Sequence, residues 1–177
     1  LKPGGLFAPG GQLRPAARED DIYDTLGLPP IAPELRNGED EVDKAAAGAL
    51  PTLVCRRDIR GDLHMHTTWS DGRDSIDAMV EASRALGYQY VAITDHSPRL
   101  QVARGLSAER LRQQMGVVVD LNQVMAPFRC LQGIEVDILE DGSLDQEDQL
   151  LAELDVVVSS VHSKLRSDSE TITHRMV

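Results

Sequence analysis

Apolar and polar positions fall into regular blocks from residue 53 onward. Residues 53–63 form an apolar run that leads into His64-Met65-His66 and predicts a strand. Ile76, Met79, Val80, Ala82, Ala85 and Leu86 then recur at helical spacing, opened by Asp74-Ser75 and stopped by Gly87. Residues 88–94 read as a buried strand that runs into Asp95-His96. Ser107 caps a second helix with Glu109 and Arg110 in its first turn. Its predicted apolar face is Leu111, Met115, Val118, Val119 and Met125, interrupted by Asn122, and Pro127 ends it. Residues 130–138 are the next strand and carry Glu135 and Asp137. A helix over 146–154 turns Leu150, Leu151 and Leu154 inward, a strand over 155–161 ends at His162, and residues 167–177 begin one more helix.

Strand and helix thus alternate four times. That order calls for parallel strands with helices outside, joined by right-handed crossovers, so the expected class is α/β. The first part of the chain reads differently. Breakers at Lys2-Pro3-Gly4-Gly5, Pro9-Gly10-Gly11, Pro29-Pro30 and Pro33 punctuate it. Leu6-Phe7 and Gln12-Leu13 suggest a small hairpin or loop, and residues 21–27 a short helix stopped at Gly27. Residues 39–48 are charged, then alanine-rich, and read as a partly helical linker, with a domain boundary near residues 39–57.

Four of the five histidines change the picture. His64, His66, His96 and His162 each fall at or just past the carboxyl end of a predicted strand, as do Asp71 and Glu135. That is the functional end of a β/α barrel or an open parallel sheet. His64 and His66, two residues apart on a strand, would point the same way and could chelate one ion. Imidazoles mixed with carboxylates suit zinc, manganese or iron better than magnesium or calcium. Glu135 lies in an otherwise apolar strand and needs a partner, either a pair of metals or an arginine such as Arg56 or Arg129. Asp71, in Ser70-Asp71-Gly72, is open between a ligand and a turn residue. Asp62, Asp95 and Asp137 neighbour these positions, where Asp62 and Asp95 either orient imidazoles or sit solvated at strand ends. Lys164 and Arg73 are candidates for phosphate contact or for a solvated face, and Trp69 for packing or a rim. Metals held close together suit hydrolysis of phosphoesters.

Composition narrows this further. A net charge of -11 excludes attraction of nucleic acid by counterion release, so cations must draw in any phosphate substrate. Cys55 and Cys130 show no zinc-finger spacing and are expected to be buried, reduced thiols. No signal peptide or membrane-length apolar run is present, which points to a cytoplasmic protein with no membrane partner. Nucleophile-elbow chemistry and a glycine-rich phosphate loop have no counterpart here. Because the chain begins at Leu1 and stops at Val177 inside a predicted helix, it is expected to be a piece of a longer protein.

Taken in order, Asp62-Leu63-His64-Met65-His66-Thr67, Ser70-Asp71-Gly72, Ile93-Thr94-Asp95-His96, Gly133-Ile134-Glu135 and Ser160-Val161-His162 resemble the opening motifs of the PHP (polymerase and histidinol phosphatase) family, over about residues 58–177. Residues 21–29, with Ile31-Ala32-Pro33-Glu34-Leu35-Arg36, resemble the end of the polymerase module in bacterial family X DNA polymerases, which a PHP domain follows. The resemblance implies three parts: the end of that module at 1–38, a linker at 39–57, and the amino-terminal part of a PHP phosphoesterase domain at 58–177. It implies a distorted seven-stranded β/α barrel, of which about the first four β/α units are present, holding up to three divalent transition metals, manganese or zinc and possibly iron.

By matched motif, His64 and His66 would hold the first metal, Glu135 would bridge first and second, His162 would bind the second, and Asp71 with His96 the third. Of these, His64, His66 and Glu135 would also be the catalytic set. The family pattern needs three further ligands: a His in a His-Pro motif, then an Asp and a His. This stretch does not contain them, and His174 has no His-Pro context. The implied activity is 3′–5′ exonuclease or DNA 3′-end processing in repair, with 3′ ends at gaps or nicks met through the full-length protein and no obligate protein partner. Alternatives are a histidinol-phosphatase-like small-molecule phosphatase and an inactive domain with a structural role. A half barrel would expose an open edge and an apolar inner face, so the isolated fragment is expected to be poorly soluble or partly unfolded.

Overall fold

The computed structural model describes residues 5–7 and 10–177. The breakers at Lys2-Pro3-Gly4 and Pro9 lie outside the described residues. The chain separates into two compact units, Leu1–Cys55 and Arg56–Val177.

In the first unit, β1 (Leu6–Phe7) pairs antiparallel with β2 (Leu13–Arg14), the hairpin of the two readings left open by the pattern. Helix α1 (Glu19–Leu26) opens with Glu19, Asp20 and Asp21, whose charges favour a helix amino terminus. The Asp21 carboxylate accepts hydrogen bonds from the Ala17 and Arg18 N–H groups, both at 2.8 Å. Gly27 ends the helix at φ 68°, the left-handed conformation that glycine adopts at least cost. A short 3-10 turn (Pro33–Leu35) and helix α2 (Glu41–Ala46) follow, the latter within the expected linker.

The second unit alternates strictly: β3 (Gly61–Met65), α3 (Ile76–Ala85), β4 (Tyr90–Ile93), α4 (Ala108–Met125), β5 (Arg129–Asp137), α5 (Asp148–Leu151), β6 (Val156–Ser160) and α6 (Ser169–Met176). The strands pair in parallel in the order β3-β4-β5-β6 and curl into half of a barrel. This is the α/β architecture that the alternation predicts.

Several boundaries differ from the apolar pattern. The predicted strand over 53–63 is a strand only from Gly61, because Arg56–Asp58 forms a 3-10 turn and pairing with β4 starts at Gly61 opposite Tyr90. A Cβ at position 61 would stand 2.5 Å from the Tyr90 carbonyl oxygen, so glycine lets the two strands meet. The helix expected over 146–154 holds only as Asp148–Leu151. Leu86 and Val119, placed on apolar helix faces by spacing, are 58% and 49% exposed. Leu121 and the polar Gln114 are buried on α4 instead. Asn122 breaks the apolar face because it brackets the edge of β5: its side-chain amide donates to the Cys130 carbonyl and accepts from the Cys130 N–H, both at 2.8 Å.

Two apolar clusters fill the space between sheet and helices. One joins Met65, Ile76, Val80, Val91, Ile93 and Val118; the other joins Leu106, Leu111, Ile134, Val136 and Leu150. Trp69 packs against both. Cys130 is buried, and burial together with the nearby Asp155 charge pushes its thiol up to about 12, so it stays protonated at neutral pH. Cys55 is half-buried rather than buried. Among the described residues, no helix is long and apolar enough to cross a membrane.

Ile134, fully buried at the centre of its cluster, sets the expected scale of packing. Ile134→Ala should destabilise the fold by about 2–5 kcal/mol, whereas Val102→Ala should stay within about 0.5 kcal/mol. Val102 is 90% exposed, and urea unfolding of both variants tests the contrast.

Candidate metal centre

β3 reaches the site through an irregularity. Between the Asp62–Val91 and Met65–Ile93 pairs, β3 carries one residue more than β4, which is a bulge. Bulges free a backbone N–H and re-aim side chains. Here the Asp62 carboxylate takes up the His64 N–H at 3.0 Å. The His64 and His66 rings converge with their Nε2 atoms 3.0 Å apart.

Glu135, near the end of β5, lies under both rings with its side chain only 9% exposed. Its Oε2 is 3.6 Å from His64 Nε2, 3.2 Å from His66 Nε2 and 3.1 Å from His96 Nδ1. Its Oε1 is 3.3 Å from His162 Nε2. Arg129, an alternative partner for Glu135 on sequence grounds, pairs with Asp155 at 3.3 Å. Asp71 approaches from the loop after β3, with Oδ1 3.0 Å from His66 Nδ1 and Oδ2 3.7 Å from His96 Nε2.

The ligand atoms form three overlapping groups, each with its atoms within 4.8 Å of one another: His64, His66 and Glu135; His66, Asp71 and His96; His96, Glu135 and His162. His174 is exposed on α6 and belongs to none of them. Lys164 pairs with Glu140 at 2.7 Å, and Arg73 is exposed.

The donor set suits cations. The buried Nδ1 atoms of His96 and His162 have no hydrogen-bond partner, although a carboxylate oxygen stands 3.1 Å from the first and 3.4 Å from the second. Neither nitrogen is aligned on its carboxylate, and His96 Nδ1, beside the Glu135 oxygen that also faces His64 and His66, is placed as a lone pair aimed at an ion would be. Burial, then repulsion from His66, holds His96 below the usual histidine value despite Glu135 and Asp71. A neutral imidazole keeps its lone pair free for a metal. For Asp71 burial is the largest influence and pushes upward, yet the His66 hydrogen bond and the His96 and His66 charges together leave it below the usual carboxylate value.

The neighbouring aspartates divide their tasks. Asp95, 1% exposed, accepts from Thr67 N at 2.7 Å, Thr67 Oγ1 at 2.6 Å, Ser70 N at 3.2 Å, Ser70 Oγ and Gln114 Nε2 at 2.6 Å. These bonds go to the loop that carries Asp71 and to α4, so Asp95 orders a loop where sequence reasoning weighed an imidazole partner or a solvated group. Asp137 accepts the His162 N–H at 3.1 Å. Ser97 ties the loop after β4 to the end of β5 and the loop beyond it: its hydroxyl donates to Asp145 at 2.9 Å and accepts the Asp137 N–H at 3.0 Å. Gly72 completes the loop, since a Cβ there would meet the His66 carbonyl carbon and oxygen at 2.5 Å.

Gln114, Ser97 and Asp145 hold the loops around the site through these hydrogen bonds and stand in none of the motifs. Gln114 left one trace: a polar residue at a helical position where the spacing of Leu111 and Val118 calls for an apolar one. Ser97 and Asp145 carry no such signal.

Residues 62–175 match the PHP domain family. The chain is 46% identical over 166 residues to the DNA polymerase/3'-5' exonuclease PolX of Bacillus subtilis (strain 168), a match that covers 94% of this chain and 29% of that protein. It is 31% identical over 103 residues to a probable phosphatase of Acetivibrio thermocellus, covering 57% of this chain and 40% of that protein. A probable phosphatase of Thermoanaerobacter sp. (strain X514) is 29% identical over 113 residues, covering 63% of this chain and 44% of that protein. The chain therefore spans less than half the length of these relatives.

Removing Asp95 strands several donors in a buried place. Asp95→Ala should cost at least about 3 kcal/mol in stability, more than one lost neutral hydrogen bond. Urea unfolding measures it, and a cost under about 1 kcal/mol would show that Asp95 does not order the loop.

Proposed function

The chain belongs to the PHP domain family, and from that premise we propose that it carries the front part of a metal-dependent phosphoesterase centre of a bacterial family X DNA polymerase. On this reading the centre trims DNA 3′ ends during repair. One observation carries the proposal: a single buried carboxylate, Glu135, lies within 3.6 Å of the nitrogens of four imidazoles. Such a density of electron-pair donors favours a cluster of divalent transition metals, manganese, zinc or iron.

His64, His66 and Glu135 would hold one cation, His66, Asp71 and His96 another, and His96, Glu135 and His162 a third. When bound, the cations supply Lewis-acid chemistry, lowering the pKa of water and neutralising phosphoryl oxygens. The residues of this chain do the rest. Glu135 spans two of the positions with its two oxygens. Asp137 fixes the backbone that presents His162. Asp95 and Gly72 shape the loop that brings Asp71 toward His66 and His96. The net charge of -11 leaves attraction of a phosphodiester to the cations and to parts of the full-length protein outside this chain.

DNA is favoured over a small phosphate ester because the match to the polymerase/exonuclease covers 94% of the chain and so takes in the amino-terminal unit. The second reading, a small-molecule phosphatase, draws support from the probable phosphatases, whose matches cover 57% and 63%. In the full-length protein, His66→Ala or Glu135→Ala should lower metal-dependent 3′–5′ nuclease activity more than about 100-fold, beyond the loss typical of an outer partner of a ligand. Nucleotide addition should be unaffected. Unchanged nuclease activity in either variant defeats the assignment. Turnover of histidinol phosphate in preference to DNA ends would favour the second reading, and an absence of bound transition metal in the intact protein would leave a structural role.

A further inference from the structure

Three of the site's side chains depend on contacts that the ligand set does not reveal. His66, Asp71 and His96 come from two loops, one after β3 and one after β4. Asp71 is the least supported of the three, with its side chain 49% exposed and its loop short of regular structure. Inside that loop, Thr68 N–H donates to the Asp74 carbonyl at 2.9 Å and Ser70 N–H to the Thr67 carbonyl at 3.1 Å.

The remaining restraints come from outside, and two arise from successive turns of α4. Arg110 and Gln114 lie four residues apart on one helix face. Arg110 donates through Nη2 to the carbonyl of Trp69, two residues before Asp71, and through Nη1 to the Arg104 carbonyl at 2.8 Å and the Gly105 carbonyl at 3.3 Å. Residues 104–106 close the loop after β4 on itself, since the Leu106 N–H donates to the His96 carbonyl at 2.7 Å. One guanidinium fork thus joins the carrier of Asp71 to the carrier of His96. Gln114, 2% exposed, donates to Asp95, the acceptor for the Thr67 and Ser70 N–H groups. Arg104 adds a bond to the Ser70 carbonyl and sits at φ 56°, a conformation that non-glycine residues seldom adopt.

We propose that Arg110 and Gln114 are positioning residues for the cation held by His66, Asp71 and His96, acting from α4 through the Trp69 carbonyl and Asp95. The inference rests on the metal-centre reading given above. It assigns α4 a task that the other two positions do not share to the same degree. His64 and Glu135 stand on strands β3 and β5, and His162 lies two residues past the end of β6, with its N–H held by Asp137. None of these three is reached by a polar side chain of α4 among the hydrogen bonds of the described residues.

The test is a manganese titration of the full-length protein, with bound metal counted by elemental analysis and affinities read by calorimetry. Gln114→Leu fills the same space without the amide, and Arg110→Lys keeps the charge without the fork. Each should weaken one class of manganese site 10- to 100-fold and the others, which share His66 or His96 with it, by less. Gln113→Ala, on the exposed side of α4, should bind as wild type does. Should Arg110→Lys or Gln114→Leu unfold, the other variant carries the same test alone. Wild-type affinities in both variants, or equal weakening of every class, would overturn the positioning role while leaving the metal reading intact. A wild-type protein that binds no manganese, and is indifferent to His66→Ala, would instead overturn the metal reading on which the inference rests.

Discussion

The arrangement turns on one electrostatic constraint: donor atoms crowd together at the carboxyl end of a parallel sheet. Four imidazoles and the carboxylates of Glu135 and Asp71 stand within a few ångströms, partly out of water. Neutral imidazoles and carboxylates offer each other few protons, and two of the buried nitrogens go without a hydrogen bond. Protonation could relieve the crowding at one or two rings, but burial and the neighbouring His66 disfavour the charged form of His96. Divalent cations relieve it with the protons removed, which is why the donor set reads as a metal centre rather than a set of ion pairs.

The sheet makes that convergence possible. In a parallel sheet all strands deliver their carboxyl ends to the same edge, so motifs separated by tens of residues meet there. Glu135 lies beside His96 through a parallel bridge and opposite Val158 in β6. His162 follows two residues after β6 ends, and its backbone is secured by Asp137 on the neighbouring strand. The bulge in β3 serves the same end, since it shifts the phase of the strand at His64, the first of the paired histidines, while Asp62 takes up the His64 N–H.

Around this lies a tier of polar residues that hold loops rather than cations. Asp95, Ser97, Asp137 and Asp145 connect the loops after β3, β4 and β5 through buried or half-buried hydrogen bonds. Such a network rigidifies when fully satisfied and is costly when broken. It also explains why Trp69 bridges the two apolar clusters: the same short loop that carries Asp71 closes the top of the core.

Much of this was legible in the residue order alone. Alternation of strand and helix fixed the class, because side-chain periods of two and 3.6 are local properties. The placement of His64, His66, Asp71, His96, Glu135 and His162 at strand ends followed from the same periods, and their motifs carried the family resemblance. Boundaries were less legible: the apolar run from residue 53 contains no strand before Gly61, since pairing needs a partner strand opposite it. Leu86 and Val119 met the helical spacing but face outward, because spacing defines a stripe without saying how wide a neighbour covers it. The bulge in β3, the loop-holding role of Asp95 and the reach of Arg110 and Gln114 belong to the tertiary structure. Each joins residues 19 to 41 positions apart, or depends on pairing between strands, and a hydrogen bond across that distance leaves no periodic trace in the chain.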